Sequence, residues 1–219
     1  SKEDEGGIRA DAVIQSMVGK SLVDSRAETL HPGTGEVVLD VQHLSRRGVF
    51  QDISIQVHEG EILGIGGLVG AGRTELLRSI FGADPYQKGE ILYLGKPMPK
   101  NVHKNIQNGV GFISEDRRRE GFVPQLSVEQ NAEMIDFGAV STMGVISRKR
   151  ERARAMKMIE EVNLRPADPK YKVANFSGGN QQKVVVGKWL IHQCKLLLID
   201  EPTVGVDVGA KAEIYAIIE

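Results

Sequence analysis

Gly67-Leu68-Val69-Gly70-Ala71-Gly72-Arg73-Thr74 is a glycine-rich run that ends in a cation and a hydroxyl. Glycine opens backbone conformations closed to other residues, so successive amides can close on phosphate oxygens. The run follows an apolar stretch, residues 62–66, read as a strand. It leads into residues 74–81, which have helical character. Strand, glycine loop and helix in that order are the setting such a loop requires. The helix start adds free N–H groups and a partial positive charge. Thr74 is placed to put its hydroxyl on Mg²⁺.

Two further groups carry chemistry. Leu196-Leu197-Leu198-Ile199 is an apolar run that ends in adjacent acids, Asp200 and Glu201. A strand apolar on both faces belongs inside a parallel sheet, and ligands gather at the C-terminal ends of such strands. Asp200 is expected to hold Mg²⁺, directly or through water, and Glu201 to orient or deprotonate an attacking water. Together with the glycine loop, these acids specify a P-loop NTPase. Asn175-Phe176-Ser177-Gly178-Gly179-Asn180-Gln181-Gln182 is the second group. Its Ser-Gly-Gly precedes a helix over 181–191 and makes another anion-binding helix start.

The elements that must position these groups are legible as periodicities. Val37, Leu39 and Val41 alternate with polar residues, as do Ile53, Ile55 and Val57, predicting two antiparallel strands. Residues 91–94 and 110–114 read as further strands, and 195–199 as the strand bearing the acids. Residues 120–169 look helical: Ala155, Met158, Ile159 and Val162 recur at helical spacing within 148–164. The basic run 148–154 reads as a solvated helix start, and Arg117-Arg118-Arg119 as a charged surface turn offset by Glu115, Asp116 and Glu120 in preference to a contact with phosphate or a partner. A last helix begins near Ala210. Strands alternating with helices predict an α/β core with a mainly parallel sheet, preceded by antiparallel strands and interrupted by a helical insertion. Residues 1–27 differ in composition, with a short helix over 8–18, and Pro32 to Gly35 mark a linker.

Composition excludes several classes. Among 219 residues, 28 basic and 29 acidic side chains leave a net charge of -1, so no basic field draws nucleic acid. No apolar run approaches the ~20 residues that span a bilayer, and no signal-peptide layout opens the chain. The expectation is a cytosolic chain whose membrane link comes through a partner. The five histidines lack metal-ligand spacing, and the one cysteine, Cys194, reads as a small buried hydrophobe.

The motifs carry a resemblance. Residues 175–182 resemble the signature motif of ABC ATPases, with Phe176 and Asn180 in place of its Leu and Gln, and Asp207 matches that family's D-loop aspartate. Residues 60–64, 70–76, 113–117, 175–183 and 200–211 are similar to the second ATPase module of the tandem carbohydrate importers. These serve ribose, galactose, xylose and arabinose, with the autoinducer-2 and nucleoside importers close by. Residues 8–27 resemble the tail of a first module, through Met17-Val18-Gly19-Lys20. The implied organisation is a preceding tail and linker over 1–35 and an ABC ATPase domain over 36–219. Its helical subdomain spans about 120–175 and its C-terminus is truncated, before the strand and switch histidine.

The resemblance implies roles residue by residue. Gly67, Gly70, Ala71, Gly72, Arg73, Thr74 and Glu75 serve ATP at one site. Ser177, Gly178, Gly179 and Asp207 complete the site of a head-to-tail partner, the N-terminal module of the same polypeptide. Thr74, Asp200 and Glu115 serve Mg²⁺, Glu115 standing where the family has a glutamine that senses the metal and the permease. Glu201 is the catalytic acid. Arg73 replaces the family's usual lysine, and a planar fork needs more room than a point charge. It is expected to touch phosphate without sitting between the β- and γ-phosphates, so binding should survive better than hydrolysis. Phe50 reads as core, not as an adenine platform. The implied activity is ATP hydrolysis driving sugar import from the cytoplasmic face of the plasma membrane. Integral permease subunits are the direct partners and a periplasmic or extracellular sugar-binding protein an indirect one. The alternative is a mainly regulatory nucleotide-binding module.

Overall fold

The alternation at Val37, Leu39 and Val41 builds β1 (Val37–Arg46), which pairs antiparallel with β2 (Phe50–His58) on one side and β3 (Lys88–Tyr93) on the other. The computed structural model describes residues 35–218; the expected tail and linker up to residue 34, including the helix over 8–18, lie outside the described residues. A short β4 (Lys96–Pro97) closes the four-stranded order β2-β1-β3-β4. Val41 lies opposite Ile55 on one neighbour and Ile91 on the other. Leu39, Val41 and Leu44 are thereby buried. Gly89 makes the close approach possible. It has φ +92, and a methyl group there would lie 2.5 Å from the Gln42 carbonyl oxygen.

Helix α1 (Arg73–Phe81) buries Leu76, Leu77, Ile80 and Phe81 and ends at Gly82 in the left-handed region. After α2 (Val102–Gln107) comes β5 (Val110–Ile113). It pairs in parallel with β8 (Leu196–Ile199), Ile113 opposite Ile199. Phe50 packs against the common core, as expected.

The insertion holds α3 (Val128–Ala132), a hairpin of β6 (Ser141–Thr142) and β7 (Val145–Ile146), and α4 (Arg148–Glu161). The hairpin departs from the all-helical expectation. Ala155, Met158, Ile159 and Val162 are buried as their spacing predicts. The basic run is not simply solvated, because Arg154 reaches Glu133, which is fully buried, through Nε at 3.0 Å. Burial raises the Glu133 carboxyl, and Arg154 offsets part of that penalty. Helix α5 (Gly178–Ile191) runs through the centre, its apolar and polar residues alike buried, and Trp189 meets Phe81 edge-on. Helix α6 (Val208–Ile218) follows β8.

One expected element does not form. Residues 62–66 pair with no strand among the described residues. Ile62 is 57% exposed, and Leu63 is exposed too. A strand exists through its ladder, and β8 is hydrogen-bonded only to β5 among the described residues. Apolar side chains alone therefore leave this segment unpaired.

Candidate functional site

The glycine loop is a tight turn. The Ala71 amide donates to the Leu68 carbonyl at 3.0 Å, and Gly70 and Gly72 take φ +80 and +85. Gly72 is the N-cap of α1, and a methyl group on it would meet the Val49 carbonyl oxygen at 2.9 Å. Leu68 and Val69 stand out at the tip, Val69 99% exposed. Arg73, Thr74 and Glu75 form the first turn of α1, each partly exposed. The helix start contributes a partial positive charge, and Arg73 in its first turn adds a cation.

The acids arrive from the parallel pair. The Asp200 amide donates to the Ile113 carbonyl at 2.8 Å, so Asp200 and Glu201 leave the same sheet end as Ser114 and Glu115. Glu115 is exposed. Glu201 has φ +44, a region that costs a non-glycine residue free energy and recurs at functional sites. It is held at the glycine loop by Arg73, whose Nη2 lies 2.9 Å from Glu201 Oε1. Asp200 is 4% exposed, and its Oδ2 is buried without a hydrogen-bond partner. Buried carboxylate oxygens without partners are rare and call for an ion or water. That orphan oxygen, with a hydroxyl at Thr74, fits Mg²⁺, which takes one or two protein oxygens beside phosphates and waters. No cluster of three or more metal-ligating side chains occurs among the described residues, which a dedicated protein cage would need.

A second cluster gathers at α5. Ser177 caps it, accepting from the Asn180 amide. Gly179 sits so close to α6 that a methyl group there would fall 2.5 Å from Ala210 Cβ and 3.7 Å from Asp207 Oδ2. Asp207 itself caps α6, accepting from the Ala210 amide at 2.9 Å. Sequence reasoning missed the residue between these segments. Arg117, expected on a surface turn, is 8% exposed and donates to the carbonyls of Val204 at 2.6 Å and Gly205 at 3.2 Å. Arg118 and Arg119 are exposed, as expected.

This arrangement matches a known family. The profile described as "ABC transporter" matches residues 50–204. The chain belongs to the ABC transporter family. Among solved cassettes of this fold, the dimeric post-hydrolysis state of the ATP-binding cassette MJ0796 bound to ADP and Pi superposes with TM-score 0.69. It is 20% identical, over 82% of this chain and 81% of that one. The protein cbiO1 from Clostridium perfringens, part of the ABC transporter complex cbiONQ, gives 0.68 at 23% identity, over 84% and 72%. Both likenesses establish the ABC ATPase fold. Nearer in sequence are ribose import ATP-binding proteins RbsA. That of Bacillus licheniformis is 44% identical over 94% of this chain and 42% of its own length. RbsA 1 of Streptomyces avermitilis is 42% identical over 95% and 40%. The chain thus spans about two fifths of the length of these relatives.

Proposed function

We propose that this ABC transporter chain is the second ATPase module of a tandem sugar importer, binding Mg-ATP and hydrolysing it to drive import through a membrane permease. The observation that carries this is the Glu201 carboxylate held at the glycine loop by Arg73, next in the chain to Asp200 with its orphan buried oxygen. In this reading Gly67, Gly70, Ala71 and Gly72 present amides to the phosphates, and Arg73 adds a cation beside Glu75. Thr74 and Asp200 hold Mg²⁺, with Glu115 at the neighbouring strand end. The metal neutralises developing phosphate charge when bound. Glu201 holds the attacking water and takes its proton.

Ser177, Gly178 and Gly179 serve the nucleotide of a head-to-tail N-terminal module of the same polypeptide, with Asp207 at the seam. The likeness to RbsA proteins supports a sugar as cargo and a binding protein as its indirect partner. No helix among the described residues is long and apolar enough to cross a membrane, which suits a peripheral subunit on the cytoplasmic face. A second reading, a nucleotide-holding module with little turnover, draws on the Arg73–Glu201 pair, because the base is occupied by a cation.

Calorimetric titration of the full-length protein with ATP and Mg²⁺, followed by phosphate release on the same sample, tests both readings. Binding with steady release that falls about 10²–10⁴-fold in Glu201→Gln supports the ATPase. Binding with release unaffected by Glu201→Gln favours the holding module. Absence of binding at this module overturns both.

A further inference from the structure

Three segments meet at one buried cation. Arg117 begins a tight π-turn (Arg117–Gly121) just past β5. From there its Nη1 and Nη2 donate to Val204 and Gly205, 87 and 88 positions on. The same guanidinium lies against the start of α5: a methyl group on Gly178 would meet Arg117 Nη2 at 2.9 Å and the Gly205 carbonyl at 3.1 Å. The turn is also tied elsewhere. Its Glu120 accepts from Arg78 of α1 at 2.7 Å, and its Gly121 carbonyl accepts from Lys188 Nζ of α5.

The arrangement is electrostatically unfinished. Among the described residues Arg117 donates to carbonyls and to no carboxylate, and its Nε is buried without a partner. It stands beside a helix N-terminus, whose partial charge is also positive. Such a placement costs free energy that packing elsewhere must offset. An anion at the α5 start would attract both positive groups and draw the clamp tight.

We propose that Arg117 is a positioning residue that locks the loop carrying Glu201 and Asp207 to the anion-reading start of α5. Phosphate arriving at Gly178 and Gly179 is then felt at the hydrolytic loop through one side chain. The inference rests on the ATPase reading above. Arg117 acts by holding backbone, through the carbonyls of Val204 and Gly205.

The test uses the full-length protein with Arg117→Lys, Arg117→Met and, as a control at an exposed neighbour, Arg118→Ala. Loss of the clamp should lower kcat about tenfold or more in Arg117→Met, while KM for ATP stays within about twofold. Amide exchange of residues 203–207 should quicken in Arg117→Met while β5 stays protected. Arg117→Lys, able to reach one carbonyl, should fall between, and Arg118→Ala should match wild type. Unchanged kcat, unchanged exchange at 203–207, or exchange raised equally in β5 would overturn the proposal. If Arg117→Met does not fold, Arg117→Lys decides by the same readouts. A wild type that releases no phosphate would sink the ATPase reading instead; the exchange at 203–207 would still judge the clamp.

Discussion

Arg73 and Glu201, 128 positions apart in the chain, are joined by a 2.9 Å ion pair at the mouth of the glycine loop. The cation that should meet phosphate rests on the carboxylate that should activate water. With side chains 29% and 41% exposed, the pair contributes under about 1 kcal/mol. Incoming phosphates can therefore displace it, and the pair acts as a latch between loop and acid.

Replacing the fork with a point charge should loosen that latch. Arg73→Lys is expected to raise phosphate release about threefold or more, because an ammonium on a flexible stem can leave the acid and sit between phosphates. Steady-state release at saturating Mg-ATP is the measurement. A rate at or below wild type would mean that Arg73 is not the brake.

Asp200 is the next point of test. Its buried Oδ2 lacks a hydrogen-bond partner, and an unmet buried acceptor costs free energy. Asp200→Asn should raise stability by about 1 kcal/mol in urea without Mg²⁺. It should also abolish the extra nucleotide affinity that Mg²⁺ confers. A destabilised variant that still responds to Mg²⁺ would remove Asp200 from the metal site.

Lys188 predicts a pH dependence. Burial lowers it to about 8, while an unfolded lysine titrates near 10.4. The folded state thus disfavours the proton: the penalty is complete below pH 8 and is relieved as pH rises from 8 towards 10.4. Between pH 7 and 9.5 wild type should gain about 2 kcal/mol relative to Lys188→Met. Denaturant unfolding at the two pH values reads the difference. A constant difference would mean that Lys188 is not buried as a cation.

Cys194 should be inert. Burial pushes its thiol up to about 12, and the thiolate is the reactive form. Labelling by a thiol reagent at pH 8 should run more than about a hundredfold slower in the native protein than in denaturant. Comparable rates would contradict the buried-hydrophobe reading of this cysteine.

What the sequence determined by itself is local. Alternation at Val37–Val41, helical spacing from Ala155 to Val162, and the Gly70 and Gly72 turn each follow from backbone geometry over a few residues. The types at Asp200, Glu201 and Ser177 announced their chemistry for the same reason. Tertiary structure decided the rest. Residues 62–66 have a strand's composition yet no ladder among the described residues, because pairing needs a partner that periodicity does not name. Three adjacent arginines are indistinguishable in sequence, yet the π-turn sends Arg117 inward and leaves Arg118 and Arg119 outside. Arg154 likewise left a basic run to neutralise Glu133. Burial and ion pairing are settled by chain segments that meet only after folding, so their free energies cannot be read from neighbours in sequence.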